Sequence, residues 1–208
     1  MSIYKVNEGK NYFKGNRMQP AIIQFTTTII LIVLFCVFTK WWIALSAALN
    51  FLYFYSLEQP EINSYLAKVI FYSDCLHKRL PKNFDQINKL YGFSEGFHHW
   101  NSARIGWRCI DGVNIELFAY AYVNGERIQK QMIKVRVEDT ILCCIQKKIG
   151  KYVFKANQLN GQSITVSIDI PRKFTFYSLF KLFIYRLYPY FGGAIPAPQN
   201  MSICVIKI

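Results

Sequence analysis

Beyond residue 60, hydrophobic and polar positions alternate with a period of two, which is the spacing of a β-strand whose two faces meet different surroundings. In Val113–Val123 the odd-numbered residues are all aliphatic, whereas the even-numbered residues are polar or aromatic. The dipeptide Asn124-Gly125 follows at once and is typical of a tight hairpin turn. Ile133–Val137 and Ile164–Ile170 alternate in the same way. These segments predict antiparallel strands that each bury one face.

Further segments have the composition of strands and are separated by turn residues. They are Lys68–Ser73, Arg104–Ile110, Thr140–Lys147, Tyr152–Asn157, Phe183–Tyr190 and Ser202–Ile208. Together the segments predict an antiparallel β-sandwich or a closed antiparallel β-barrel of about eight strands, and the period alone does not decide between them. Lys82–Leu90 is predicted to be a short helix or a loop.

The segment Ala21–Leu57 has a different pattern, because Lys40 is its only charged residue. A single helix of this length would measure about 55 Å, far more than the ~30 Å hydrocarbon core of a bilayer. Ala21–Thr39 and Trp41–Leu57 therefore predict a transmembrane α-helical hairpin, with Lys40 and two tryptophans at its turn. One tilted span followed by an interfacial segment, or an apolar hairpin buried in a soluble protein, remain alternatives.

The charges that flank this hairpin predict its orientation. Residues 1–20 contain four basic side chains and one acidic side chain, whereas the turn offers a single lysine. The positive-inside rule then places the N-terminus in the cytoplasm, and a two-helix hairpin returns the chain to the same side. The expected organisation is a basic cytoplasmic segment over residues 1–20, the hairpin over 21–57, and a cytoplasmic β domain over 62–208.

Composition narrows the possible partners. The chain carries 25 Lys and Arg against 12 Asp and Glu, a net charge of +13, which favours anionic partners such as lipid head groups or nucleotides. Charged residues make up only 18% and hydrophobic residues 52%, so a disordered chain is excluded. The six cysteines form no CxxC pair, which predicts buried, reduced thiols rather than a zinc or redox motif.

Unusual polar and aromatic residues are densest in Phe97–Arg108. Arg104 and Arg108 fall on one face of a strand and can form forked contacts with phosphate or carboxylate. Trp107 and the aromatic residues of the next strand offer rings for stacking on a base or sugar. The predicted ligand-binding residues are His98, Asn101, Arg104, Trp107, Arg108, Phe118, Tyr120 and Tyr122. In the competing interpretation, the polar residues satisfy backbone groups in a long turn and Trp107 lies in the core.

Other chemistry finds little support in the sequence. His98 and His99 point to opposite sides if they lie on a strand, so no metal site is predicted. Tyr188–Pro198 is a rigid turn rich in Gly and Pro, and it does not match a phosphate-binding loop. Hydrolase motifs are absent. The sequence therefore predicts a protein without enzymatic activity or cofactor, and the lack of groove-reading motifs argues against DNA as a partner.

Three strings of residues resemble a family of uncharacterised bacterial β-sandwich proteins. They are Asn88–Ser94, His98–Arg108 (an HHxNSARxGWR motif), and Tyr190–Gly193 with Pro196–Pro198. The resemblance extends over roughly Lys68–Ile208. It implies the fold but no activity.

The predicted layout, two transmembrane helices followed by a β domain, is similar to that of the two-transmembrane β-barrel effectors of CBASS-like anti-phage signalling. This resemblance implies a non-enzymatic effector in the bacterial inner (cytoplasmic) membrane, with both termini cytoplasmic. Its β domain would sense an anionic ligand such as a cyclic nucleotide, and its hairpins would form a homo-oligomer that disrupts the lipid bilayer. The alternatives are a structural subunit of a membrane protein complex and a lectin-like binding protein.

Overall fold

The chain forms eleven β-strands within the residues that the structure, a computed structural model, describes: 2–6, 45–50, 62–77, 86–159, 161–171, 184–192 and 196–208. The strands are β1 (Ser2–Val6), β2 (Ile62–Phe71), β3 (Asn88–Glu95), β4 (Ser102–Cys109), β5 (Asn114–Val123), β6 (Glu126–Arg136), β7 (Ile141–Lys148), β8 (Lys151–Gln158), β9 (Ser163–Asp169), β10 (Ile184–Leu187) and β11 (Met201–Lys207). A short 3-10 helix, Ser73–Cys75, follows β2, and residues 45–50 are helical.

The strands build two antiparallel sheets that pack face to face. The six-stranded sheet has the order β1-β11-β2-β7-β8-β9, and the five-stranded sheet has the order β10-β3-β4-β5-β6. Aromatic side chains from both sheets meet between them: the rings of Phe71 and Trp107 lie 5.2 Å apart, and those of Phe93 and Tyr152 lie 5.7 Å apart. Of the two architectures that the sequence left open, the chain therefore adopts the sandwich.

This architecture corrects the predicted fold class: the residues that the structure describes build two β-sheets, and no transmembrane α-hairpin is among them. Within the predicted hairpin, 21–57, the structure describes residues 45–50, which are helical. Nowhere in the described ranges is a helix long and apolar enough to cross a membrane. The rest of the predicted hairpin lies outside the described residues. The described fold is all-β, and the prediction of a multi-pass inner-membrane protein is corrected with it.

The alternating segments are confirmed as strands. β5 and β6 flank the predicted turn, in which Asn124 and Gly125 adopt φ values of 53° and 87°, as a two-residue hairpin turn of type I′ requires. The aliphatic residues of β5 are fully or almost fully buried and face the other sheet. The described residues form eleven strands, whereas the sequence offered nine segments, since β1 and β3 were not predicted. The short helix or loop expected over Lys82–Leu90 is also wrong at its end, where β3 begins.

β1 ties the beginning of the sequence to its end. Ser2 pairs with Val205 and Val6 pairs with Met201 in an antiparallel ladder with β11. The segment that the sequence analysis treated as a separate basic arm over residues 1–20 thus contributes an edge strand to the six-stranded sheet.

A small polar cluster lies within the otherwise apolar interior. The Glu95 carboxylate accepts hydrogen bonds of 2.6 Å from the Lys147 ammonium and from the Tyr152 hydroxyl. The Glu95 and Tyr152 residues are only 2% and 1% exposed, and Lys147 is 8% exposed. Because Glu95 belongs to the five-stranded sheet and its two partners to the six-stranded sheet, these bonds join the two layers.

Candidate ligand-binding site

The five-stranded sheet has an inner face, which packs on the core, and an outer face directed away from it. The pairing register places residues of neighbouring strands in rows across the outer face. One row joins Arg104, Tyr120 and Gln129, and the adjacent row joins Tyr122 to Arg127. Five of the eight residues predicted to bind ligand lie on this face: Arg104, Arg108, Phe118, Tyr120 and Tyr122.

Cationic and aromatic side chains converge at the centre of the outer face. The Lys89 Nζ atom lies 5.1 Å from the centre of the Tyr120 ring and 5.8 Å from the centre of the Tyr190 ring, both within the range of cation–π attraction. The rings of Tyr120 and Tyr122 meet edge to face at 5.9 Å. We call Lys89, Arg104, Tyr120, Tyr122, Arg127 and Tyr190 the outer-face cluster.

Arg104 is held in place by a chain segment distant in sequence. One terminal nitrogen of its guanidinium donates a 2.5 Å hydrogen bond to the carbonyl of Tyr188, which follows β10. Its Nε–H is buried and has no hydrogen-bond partner among the described residues. Burial lowers the pKa of Arg104 to about 10, against the opposing influence of Tyr120, Tyr185 and Tyr190. The side chain therefore remains a cation at neutral pH, with donor capacity to spare.

The surroundings of Lys89 disfavour its positive charge. Burial, followed by the nearby positive charges of Arg104 and Arg127, lowers the pKa of Lys89 to about 8. The salt bridges between described residues, Arg108–Glu116 and Lys147–Glu95, include none of these three cations. The outer-face cluster thus concentrates positive charge that the described carboxylates do not neutralise.

Tyr120 remains neutral within this cluster. Burial raises the pKa of its hydroxyl, and a hydrogen bond with Tyr122 raises it further, although Arg127 and Arg104 act in the opposite direction. Tyr120 is 4% exposed and packs with Ile87 and Phe118 in a small apolar group separate from the main core. The Tyr120 ring is therefore buried and packed beside the Lys89 ammonium, unlike a mobile surface side chain.

Histidines and a further tyrosine border one end of the cluster. The rings of His98 and His99 are 4.1 Å apart, and His99 meets the Tyr122 ring edge-on at 5.3 Å. The Tyr185 hydroxyl lies 3.4 Å from His98 Nδ1. Burial, followed by His99 and Arg104, lowers the pKa of His98, so this ring is mostly neutral at pH 7. No group of three metal-ligating side chains occurs among the residues that the structure describes.

The remaining predicted residues have other surroundings. Trp107 is fully buried on the inner face of β4, where it packs against Phe71. Asn101 is 1% exposed, and its side-chain oxygen accepts a hydrogen bond from the backbone N–H of Asn124. These two residues are not brought together with the cluster; they support the core and a turn, as the competing interpretation of the sequence expected.

Arg108 and Phe118 lie on the outer face, next to the cluster. The Arg108 guanidinium pairs with Glu116 at 2.8 Å and lies 4.8 Å from the centre of the Phe118 ring. Because a carboxylate already engages it, Arg108 has less capacity for an added anion than Arg104 or Arg127.

Three residues of the site were not predicted from the sequence: Lys89, Arg127 and Tyr190. Arg127 could have been found by counting outward from the Asn124-Gly125 turn, since a two-residue hairpin pairs Arg127 with Tyr122. Lys89 lies on a strand that was not predicted. Its backbone N–H and carbonyl both form 2.8 Å hydrogen bonds with Tyr190, so chain segments a hundred residues apart meet at the cluster.

The Gly/Pro turn noted in the sequence has a role at this point. A Cβ atom added to Gly192 would lie 2.2 Å from a ring carbon of Tyr190 and 3.0 Å from Lys89 Nζ. The Gly192 N–H also donates a 3.3 Å hydrogen bond to the Asn88 side chain. Glycine at this position lets the Tyr190 ring lie close to the backbone and leaves room for the lysine.

Comparisons with known proteins add a distant structural likeness. The sequence gives no match to any protein-family model and no match to a curated protein. Among solved structures, the chain is similar to the marine PL-14 alginate lyase from Aplysia kurodai, with 14% sequence identity, a TM-score of 0.44, and coverage of 69% of this chain and 67% of that chain. No shared activity follows from a similarity of this size.

Proposed function

We propose that this protein is a binding module that captures an anionic ligand on the outer face of its five-stranded sheet. The observation that carries the proposal is the convergence of Lys89, Arg104 and Arg127 around Tyr120, without a described carboxylate to pair them. Grouping like charges in a half-buried position costs free energy, and the lowered pKa of Lys89 reflects that cost. An anion bound at the cluster would offset the part of this cost that comes from repulsion between the like charges.

The chemistry of the side chains supports phosphate, sulfate or carboxylate as the recognised group. The planar guanidinium of Arg104 keeps a buried Nε–H available for an acceptor, and guanidinium groups match the two oxygens of such anions. The half-exposed Tyr122 and the exposed His99 provide ring surface beside the charges.

A cyclic nucleotide remains a prediction for the ligand. It came from the resemblance of the predicted layout to membrane effectors, and the membrane half of that layout is corrected above. The charge of the cluster is compatible with a cyclic nucleotide, but also with other anions that carry a flat ring or a sugar.

The test is a binding panel on the full-length chain. Isothermal titration calorimetry at low salt would use cyclic di- and trinucleotides, acidic oligosaccharides and inorganic phosphate. We expect at least one class to bind, and we expect Arg127→Gln and Lys89→Gln to weaken that binding roughly tenfold each, since a charge-assisted contact contributes about 1–2 kcal/mol. Lys148→Gln, which removes an exposed lysine from the other sheet, is the matched control and should leave the affinity unchanged.

Two outcomes would contradict the proposal. One is the absence of binding across the whole panel by a folded protein. The other is binding that Lys148→Gln weakens as much as Arg127→Gln does, because attraction would then follow net charge rather than the cluster.

A further inference from the structure

We infer that the ligand of the outer face is an extended acidic polysaccharide whose chain runs along β5 and β6. This inference rests on the proposed function and names its ligand class. It starts from β6, whose outer-face side chains are all exposed and include no acid: Arg127, Gln129, Gln131, Lys134 and Arg136.

A β-bulge keeps these five side chains in one continuous set along β6, which we call the row. The pairing of β5 with β6 shifts between Glu116 and Phe118, and the consecutive residues Met132 and Ile133 are both buried there. The outer face consequently changes from odd-numbered to even-numbered positions. Strict alternation would have turned Lys134 and Arg136 towards the core. The bulge instead keeps them on the same face as Arg127.

The length of the row exceeds what a compact anion can use. On β5, Tyr122 pairs with Arg127 and Glu116 pairs with Lys134. Six residues of strand separate these positions, which corresponds to roughly 20 Å. The phosphates of a cyclic nucleotide are held close together by its ring, so a cyclic nucleotide at the cluster would not reach Lys134. A linear polymer with an acid group on many units would meet a cation at each end.

The side chains between the cations favour sugar units over nucleic-acid bases. Sequence-tolerant binding of single-stranded nucleic acid uses exposed aromatic rings on which successive bases stack. Here the rings between the two ends of the row, Phe118 and Tyr120, are only 5% and 4% exposed. The partly exposed Tyr122 lies at one end, so the row offers no succession of exposed rings. The exposed residues beside them are Gln129 and Gln131, whose amides both donate to and accept from hydroxyl groups. Hydroxyl-rich units that carry carboxylate or sulfate groups match this arrangement.

The experiment measures how affinity depends on ligand length. Oligosaccharides of a uronic acid, from the disaccharide to the octasaccharide, would be titrated into the full-length protein at low salt. We expect affinity to rise at least tenfold along this series and to level off before the octasaccharide, once the oligosaccharide is longer than the row. The double variant Lys134→Gln/Arg136→Gln should lose most of that gain while its affinity for the disaccharide is unchanged.

The matched control is Lys148→Gln/Lys151→Gln, which removes two exposed lysines from the other sheet and changes the net charge by the same amount. It should keep the full gain with length. Equal affinity for short and long oligosaccharides, or equal losses in the two double variants, would overturn the inference.

Other ligands in the same titrations separate this inference from the proposed function. Tight binding of a cyclic nucleotide that depends on Arg127 but not on Lys134 would overturn the inference of a polysaccharide ligand. The proposed function, capture of an anion on the outer face, would still hold. Binding of single-stranded oligonucleotides but not of acidic oligosaccharides would do the same. The failure of every anion to bind would overturn both.

Discussion

Lys89 shows how neighbouring groups adjust the chemistry of one side chain. Its pKa is lowered to about 8, first by burial and then by Arg104 and Arg127. An anion bound at the cluster stabilises the ammonium form and so raises this pKa again. Binding is therefore linked to the protonation of Lys89, and proton uptake accompanies binding when the pH lies between the pKa values of the free and the bound protein.

We expect the affinity for an anionic ligand to fall as the pH is raised from about 7 to about 9.5, since free Lys89 loses its proton over this range. His98, whose pKa is lowered, and Tyr120, whose pKa is raised, contribute little change between these limits. Calorimetric titrations across the range measure the effect. In Lys89→Arg the charge persists at every pH used, so its affinity should vary much less. A wild-type affinity that is constant with pH would contradict the role given to Lys89.

The alternation of residues in β4 and β5 was enough to predict which side chains share the outer face. Arg104 and Arg108 alternate with core residues, as do the aromatic residues of β5, and the structure places them together. The same alternation turns Trp107 inward, so its inclusion among the candidates went against its position in the strand. Asn101 was harder to assign, because its bond to Asn124 joins two turns that the sequence does not show to be adjacent.

Among the elements, β3 could not be predicted from the alternation of hydrophobic and polar residues. Seven of its eight residues are buried, because one face packs on the core and the other lies beneath the outer-face cluster. Its pairing with β4 is also interrupted by a register shift between Lys89 and Gly92. With both faces covered and a bulge in the middle, no alternation remains to identify the strand. β1 was missed for another reason, since only its pairing with the distant β11 defines it.

Gly92 tests the close packing at this shift. A Cβ atom there would lie 2.0 Å from the Ala103 carbonyl oxygen and 2.7 Å from the Cα atom of Arg104. Both are backbone atoms, so the strands must separate to accept a side chain. We expect Gly92→Ala to lower the free energy of unfolding by about 2–3 kcal/mol, the upper part of the range typical of overpacking, because backbone atoms must move; urea denaturation measures the change.

Gly112→Ala is the comparison for that variant. Gly112 has a φ of +75° but nothing within 4 Å of its added Cβ, so it reports the cost of backbone strain without a clash. We expect a loss of about 1 kcal/mol. If Gly92→Ala were no more destabilising than Gly112→Ala, the clash would not be what requires a glycine in β3.

At the scale of the whole molecule, the sequence could predict a two-sided β fold but not its sheet order. Strand pairs joined by short turns, such as β5 with β6, follow from local signals. Partners distant in sequence, such as β2 with β7 and with β11, are fixed by packing across the whole core.

The prediction of a membrane hairpin rested on hydropathy alone. Hydropathy measures how apolar a segment is, and protein interiors also accept apolar segments, so composition alone does not assign a segment to a bilayer.

The Glu95–Lys147–Tyr152 cluster joins the two sheets by charge as well as by packing. Glu95→Gln should lower the free energy of unfolding by about 3–5 kcal/mol, because it removes the negative charge that the buried Lys147 ammonium contacts at 2.6 Å. Glu95→Gln/Lys147→Met removes that ammonium too and should recover part of the loss. Chemical denaturation of both variants measures the difference. Glu126→Gln, at an exposed position of β6, should change stability by less than about 0.5 kcal/mol. A double variant less stable than Glu95→Gln alone would argue against the lost attraction between Glu95 and Lys147 as the cause.

Hydrogen exchange at the backbone amides of Lys89 and Tyr190 can report whether the outer face holds a ligand. Each residue donates its amide proton to the carbonyl of the other, so neither amide can exchange with deuterated solvent until the two segments part. A ligand held by the Lys89 side chain and by Arg104, itself bonded to the carbonyl of Tyr188, would keep those segments together. Slower deuterium uptake at these two amides would therefore reveal an occupied site even before the ligand is known.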